Sequence, residues 1–303
     1  LNREYILKRT KDLEDLEKEI AELDEILKSK ARIKTIIVKE LKSIAEKYGQ
    51  PRKSIIIYDD VARYEEETVE IPDYPVNLFF TKEGYFKKIT PQSLRMSGEQ
   101  KLKDGDEIIQ ELEFTNNCDL LFFTDKCQVY KAKADDFAQT KASVLGDYVA
   151  AKLGFDEGEN AVKMVVTKDY KGMLLFAFEN GKAAKVPLES YATKTNRKKL
   201  TGAYSDKSPL VGLLYMPEDE EVLFKASSGN MLLVHTGALA LKTTRSTQGV
   251  AVLKPKKGHR LFSIERYKDG TFTNPKRYRT SSLPARGALP VNDDSKDEQL
   301  SLI

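Results

Sequence analysis

Basic side chains recur at matching places along this sequence. Behind a series of similar strand-like segments stand Lys87 and Lys88, then Lys131 and Lys133, then Lys182 and Lys185. The intervening segments add Lys194, Arg197, Lys198 and Lys199, then Lys242 and Arg245, then Lys254, Lys256 and Lys257, and finally Lys276, Arg277 and Arg279. Ammonium and guanidinium groups repeated at one structural position create a field that attracts a polyanion, whether nucleic acid, anionic lipid or an acidic protein surface. Each lysine taken singly is also at home as a solvated surface charge. The run KTNRKK at 194–199 differs from that background because it contains no acidic residue. The net charge of +3 conceals the asymmetry, because residues 77–290 hold 34 basic and 25 acidic residues while the flanks at 58–76 and 291–303 are acidic.

Other chemistry has little to stand on. No phosphate-cradling glycine loop of the Walker or dinucleotide type follows a strand pattern. His235 and His259 are isolated, and two histidines with two cysteines do not make a typical zinc set. Cys118 and Cys127 flank an expected hairpin turn at Asp125-Lys126, which keeps them apart as reduced thiols. The Phe pattern in the repeats (Phe79, Phe80, Phe122, Phe123, Phe176) follows strand alternation and is expected to form core rather than base-stacking platforms. The N-terminus is charged throughout and has no signal-peptide core; the longest apolar run, near Met173–Phe178, is far short of a membrane span. A cytoplasmic fragment or processed product, beginning at Leu1, is the expectation.

These residues need elements to position them. Ile6, Leu13, Leu16, Ile20, Leu23 and Leu27 follow a heptad seam, and a second stripe runs Ile33, Ile37, Leu41, Ile44 and Tyr48 after a break near 29–31. Gly49 and Pro51 stop the helix. The segment reads either as a helical hairpin packed on the next domain or as the returning arm of an antiparallel coiled coil whose other arm is absent. Residues 58–76 form an acidic, Pro-punctuated linker or edge strand. From 77 onward a hairpin motif repeats: NLFFTKEGYFKKIT at 77–90, DLLFFTDKCQVYKAK at 119–133, MLLFAFENGKAAKVP at 173–187, EVLFKASSGNMLLVH at 221–235 and a degraded RLFSIERYKDGTFT at 260–273. The spacings of 42, 54, 48 and 39 residues predict propeller-like radial repetition with about five blades.

Runs such as LFFTKEGYFKKITPQS and LLFFTDKCQVYKAK resemble the blades of the C-terminal β-pinwheel of the bacterial type IIA topoisomerase A subunit. The preceding LEKEIAELDEILKSKARIKTIIVKELKSIAEKYGQPRKS is similar to the end of that subunit's cleavage domain, where a coiled-coil arm returns. The resemblance implies helical residues 1–57, a linker at 58–76, a mainly β pinwheel at 77–290 that binds duplex DNA, and an acidic disordered tail at 291–303. It implies phosphate contacts by the basic residues named above and by Lys101 and Lys103.

The resemblance also implies limits. The family's catalytic tyrosine lies outside this chain, so no DNA cleavage is expected of it, and no cofactor; ATP and magnesium belong to the partner ATPase B subunit or to the cleavage domain. Further implications are that the A subunit self-associates and that it is found with the nucleoid. The gyrase-specific Gln-Arg-Arg-Gly-Gly-Lys-Gly box is here replaced by PQSLRMSGEQKLKDGDEI. Gly98, Gln100, Lys101 and Lys103 are its faint echo, opposed by Glu99, Asp104, Asp106 and Glu107. The pattern is closer to topoisomerase IV, which decatenates and relaxes DNA, than to gyrase, which wraps DNA and supercoils it. A propeller-type protein scaffold and an enzyme with a site at the propeller centre stand as rivals of other classes.

Overall fold

A computed structural model describes residues 2–50, 54, 71–97, 99–193, 198–280, 282–291 and 294. The chain divides into two compact units, Leu1–Thr68 and Val69–Ile303. The first contains α1 (Arg3–Lys28) and α2 (Lys30–Tyr48), separated by Ser29 alone, whose φ of −120° and ψ of 103° are extended. The Ser29 hydroxyl accepts from the Arg32 amide, and Arg32 spans the break to Glu25 at 2.6 Å. Neither helix buries a side chain. The seam Leu13, Leu16, Ile20, Leu23 and Leu27 is exposed along its whole length. A one-residue break leaves no connector long enough to fold α2 back along α1, so within this unit the two helices are not a packed hairpin.

In the second unit the chain runs through β1 (Pro75–Thr81), β2 (Tyr85–Ile89), the short helix α3 (Pro91–Arg95), β3 (Ile108–Thr115), β4 (Asp119–Thr124), β5 (Gln128–Lys133) and β6 (Asp147–Tyr148). Then come α4 (Val149–Leu153), β7 (Ala161–Thr167), β8 (Met173–Phe178), β9 (Lys182–Pro187) and β10 (Lys199–Thr201). The last strands are β11 (Leu210–Met216), β12 (Glu221–Ala226), β13 (Met231–His235), β14 (Val250–Ala251) and β15 (Leu261–Arg266). They form four sheets, ordered β3-β1-β2-β6, β10-β5-β4-β7, β11-β8-β9-β14 and β13-β12-β15, here blades 1 to 4.

Each blade is built on one of the repeated hairpins. Its first strand pairs with the strand that follows the hairpin, as β1 does with β3. Its second strand pairs with a short strand lent from beyond the next hairpin: β6 follows β5 yet completes blade 1, β10 follows β9 yet completes blade 2, and β14 follows β13 yet completes blade 3. The blades therefore interlock. β3, β7, β11 and β15 converge on a central cleft of 660 Å³ lined by Gln110, Met164, Leu214 and Ile264 among others, so the lent strands lie on the outer rim.

The sequence repeat predicts about five blades, and the structure has four. Within 260–273 only β15 forms, and it pairs with β12 as the inner strand of blade 4. Beyond it, Gly270 turns at φ +91° and Pro275 opens a 3-10 turn at Pro275–Arg277, where no ladder amide is available for a second strand. With no fifth hairpin to lend a strand, the rim of blade 4 is met by its own continuation through bridges Leu233–Arg279 and Met231–Ala288.

The core lies between blades. Strand residues alternate faces, and here both faces are covered, which is why the hairpin strands read as nearly unbroken apolar runs. Phe122 packs with Phe80, Phe86 and Phe137 between blades 1 and 2, while its neighbour Phe123 packs with Phe176 and Tyr191 between blades 2 and 3. Val222, Phe224 and Leu232 face Leu175 and Leu253 between blades 3 and 4. Phe79, Phe80, Phe122, Phe123 and Phe176 are all buried, as strand alternation predicts.

Rim segments cross the second hairpin strands so closely that side chains are excluded at one recurring point. Gly146, Gly249 and Gly287 have φ of +89°, +71° and +71°, and a Cβ there would stand 2.3, 1.9 and 2.4 Å from the carbonyl oxygens of Phe86, Ala183 and Met231. Two hairpin turns show the opposite tolerance, since a Cβ at Gly84 or Gly229 would meet nothing nearer than 3.5 Å, whereas one at Gly181 would stand 2.1 Å from the Leu253 carbonyl oxygen. Gly84, Gly181 and Gly229 have positive φ, and blade 2 places Cys127 there at φ +56°. Cys118 and Cys127 are both free thiols, and burial pushes Cys118 up to about 12.

Candidate nucleic-acid interface

The in-phase lysines of the second hairpin strands face inward. Lys88, Lys131 and Lys185 occupy equivalent places opposite Leu78, Leu121 and Leu175. Each ammonium reaches the chain just beyond the next hairpin. Lys88 donates to Asn116 Oδ1 at 2.6 Å and the Ala134 carbonyl at 2.7 Å. Lys131 donates to the Tyr191 carbonyl and the Thr193 hydroxyl, each at 3.1 Å. Lys185 donates to Asp219 Oδ1 and the Thr236 carbonyl, each at 2.8 Å. Blade 4 has Leu233 at this place.

Lys87, on the opposite face of β2, donates to Gln100 Oε1 and to the carbonyls of Lys101 and Ala142. Burial lowers the pKa of Lys87, Lys88 and Lys131. Burial works to raise the Asp219 carboxyl, but hydrogen bonds from Lys185 and Thr236 outweigh it and hold the group below its ordinary value.

These four positions correct the sequence-based expectation of phosphate contact. Lys87, Lys88 and Lys185 are only 1%, 2% and 5% exposed, and Lys131 is half-buried. Alternation along a strand tells which face a lysine takes. It does not tell that carbonyl and side-chain oxygens cover that face, three accepting from Lys87 and two from each of Lys88, Lys131 and Lys185.

Other candidates are engaged at the surface. Lys199 pairs with Asp156 at 2.6 Å, which raises its pKa, and lies 5.4 Å from the Tyr130 ring centre. The run KTNRKK therefore does have an acidic partner, supplied from a distant part of the chain. Lys194 and Arg197 lie outside the described residues. Arg279 holds Glu221 by two hydrogen bonds of 2.6 and 2.7 Å, and Lys182 donates to Gln248 at 3.1 Å.

Lys101, Lys133, Lys198, Lys254, Lys256, Lys257 and Arg277 are exposed and form no ion pair among the described residues. Lys242 and Arg245 are half-buried. Lys198, Lys242 and Arg245 lie on rim segments of blades 2 and 3, Lys133 ends β5, and Lys254, Lys256 and Lys257 follow β14. Sequence reasoning passed over Lys141 on the rim of blade 1 and Arg286 on that of blade 4, both exposed. Their position in a rim segment, rather than in the hairpin motif, is what marks them.

The loop that carries Lys101 and Lys103 lies along the blade 1 rim, with the Lys101 amide donating to the Ala142 carbonyl. Two of its charges pair with the neighbouring hairpin turn, Lys103 with Glu83 at 3.6 Å and Glu107 with Lys82 at 2.9 Å. Asp106 accepts from the Glu83 and Glu107 amides. Gly98 is outside the described residues. The exposed cations of the outer edge are thus weighted towards blades 2 and 3.

Radially repeated blades, the first three each completed on the rim by a strand from the following repeat, define a β-pinwheel. The C-terminal domain of DNA topoisomerase IV superposes on this chain with a TM-score of 0.57 at 24% identity, over 66% of this chain and 63% of that one, and so shares the fold. No family model matches the chain. It is 27% identical over 282 residues to the DNA gyrase A subunit of Streptomyces coelicolor, covering 88% of this chain and 32% of that protein. It is 25% identical over 310 residues to the DNA gyrase A subunit of Metamycoplasma arthritidis, covering 95% and 34%. The chain spans about a third of the length of the curated relatives it matches. It is homologous to the C-terminal region of the type IIA topoisomerase A subunit.

Proposed function

We propose that this chain binds and bends duplex DNA along its pinwheel rim, without cleaving it, as the C-terminal part of a type IIA topoisomerase A subunit. The observation that carries the reading is the set of exposed lysines on the outer edge of blades 2 and 3 that form no ion pair among the described residues. Such groups neutralise phosphates, release condensed counterions and read no sequence. Bending a site of 20–30 base pairs by tens of degrees costs roughly 1–6 kcal/mol, which several phosphate contacts must offset.

In the whole enzyme the domain would present duplex segments for ATP-dependent decatenation and relaxation. ATP and magnesium would be handled by the cleavage domain and a B subunit, in a cytoplasmic, nucleoid-associated setting. The topoisomerase IV type is favoured by the loop at 96–107, where Glu99, Asp104, Asp106 and Glu107 outnumber Lys101 and Lys103, so that a wrap finds little net attraction to fasten on. The names of the curated relatives favour gyrase as the second reading.

Salt titration and plasmid topology test both levels. With four to eight phosphates neutralised, log K should fall against log[salt] with a slope of roughly −4 to −7. A slope near zero, or strong preference for one sequence, contradicts rim binding. Nicked plasmid ligated in the presence of the chain should keep its linking number almost unchanged; a large shift of one sign restores the gyrase reading.

The exposed seam of α1 supports self-association as a second property. Apolar surface left in water costs about 25 cal/mol per Å². Sedimentation of the full chain should show concentration-dependent assembly, absent when residues 1–28 are removed. A strict monomer at high concentration with α1 helical by circular dichroism would show that the seam needs no second chain.

A further inference from the structure

We propose that a hydroxyl-lined notch around Arg245, between the outer edges of blades 2 and 3, seats one phosphodiester of the bound duplex; this rests on the rim-binding reading above. The notch measures 520 Å³, and Arg245 shares its wall with Ser190, Thr201, Thr243, Thr244 and Ser246. Among the described residues, no carboxylate lines it. Thr201 ends the lent strand β10 of blade 2, whereas Thr243, Thr244 and Ser246 belong to the rim segment of blade 3. The site therefore exists only where two blades meet.

Its cation is held in place. The Arg245 guanidinium lies 5.8 Å from the ring centre of Tyr191, a fully buried residue, and donates through Nη1 to the Ser190 carbonyl at 3.4 Å. One donor and one face of the planar group are committed to the protein, leaving the other donors of the fork for a ligand. Gly202, also in the wall, has open space where a side chain would stand. An incoming oxygen can approach the backbone there.

One fixed guanidinium surrounded by neutral hydroxyl donors suits a tetrahedral oxyanion carrying a single charge, and a fork geometry distinguishes it from a point charge. A phosphodiester has that charge at any physiological pH; inorganic phosphate near neutral pH is a mixture of monoanion and dianion, and its dianion would call for a second cation inside the notch. None of the donors selects a base. Lys242 precedes Thr243 directly, and Lys199 stands two residues before Thr201, so basic residues flank the notch along the rim.

Duplex binding by the full chain, measured at constant ionic strength, tests the assignment. Arg245→Lys keeps the charge but loses the fork; it should weaken binding about tenfold for every sequence, with the salt slope nearly unchanged. The paired change Thr201→Val and Thr244→Val, away from the Tyr191 ring, should weaken binding several-fold at unchanged Tm, which separates loss of the seat from loss of fold. If Arg245→Lys and the valine pair both bind as the parent does, the notch is no seat, although rim binding stands. If the parent itself binds no duplex at low salt, the underlying reading fails. Inorganic phosphate should compete no better than chloride at equal ionic strength; displacement at micromolar phosphate would assign the notch to the free ion and overturn the proposal.

Discussion

Replacing Lys198, Lys242, Lys254, Lys256 and Lys257 together by glutamate will weaken duplex binding at least about a hundredfold and reduce the magnitude of the salt slope by about four to five, near one unit per phosphate contact removed. The loss should be the same for every duplex sequence, because phosphate contacts set position and not base choice. Four of the five side chains are exposed, Lys242 is half-buried, and none forms an ion pair among the described residues. Folding should therefore be nearly unaffected, since exposed charges contribute about 0–1 kcal/mol each. The matched control reverses Lys101 and Lys103 on blade 1, where Glu83 already opposes Lys103; its effect should be several-fold at most. If the blade 1 control is as damaging as the set on blades 2 and 3, the duplex follows the whole circumference, and the case against gyrase-like wrapping weakens with it.

Lys185→Met should have the opposite signature: a large loss of stability with duplex affinity retained in the molecules that remain folded. The ammonium is 5% exposed and joins Asp219 to the Thr236 carbonyl across the junction of blades 3 and 4. Methionine fills a similar volume but removes one of the two donors to that carbonyl, which keeps the Leu239 amide, and leaves Asp219 without its cation. Removing one partner of a buried polar contact costs about 1–3 kcal/mol, and of a fully buried ion pair about 3–5 kcal/mol. Asp219 is partly exposed and can recover water, so about 2–4 kcal/mol is expected, or a fall in Tm of roughly 5–15 °C for a unit of this size. Thermal unfolding followed by near-ultraviolet circular dichroism measures it, with Lys257→Met as an exposed control expected to stay within about 0.5 kcal/mol. A Lys185→Met protein with the parent's Tm and weakened duplex binding would return this lysine to the DNA-facing surface.

The contrast between these two lysines shows what can be read along a chain. Hairpins were legible because their information is local: period-two apolar runs, a glycine or its stand-in Cys127 at positive φ, and a few residues between partners. The α1 seam and the stop at Gly49 were legible for the same reason. Repetition of the hairpin predicted the radial architecture, and the clustering of basic residues in the body predicted a polyanion partner.

The lent strands had no such signal. β6 and β14 are two residues long and β10 three, too short for any propensity to register; their partners lie tens of residues earlier. Which lysines face solvent depended on those strands, because a segment that crosses a blade edge turns an outward lysine into an inward one. The partner of Lys199, 43 residues away at Asp156, was hidden for the same reason. So was the notch around Arg245, whose hydroxyls come from two blades. The blade number followed suit, since a fifth apolar run becomes a blade only if a second strand comes after it, and here the chain turns into the 3-10 segment Pro275–Arg277 instead. Local sequence determined the hairpins, the helical seam and the sign of the partner's charge, because those depend on neighbours in the chain. The closure of the blades and the choice of exposed cations were decided by tertiary structure, because both are set by backbone groups that arrive from distant parts of the chain, in blades 1 to 3 from the next repeat.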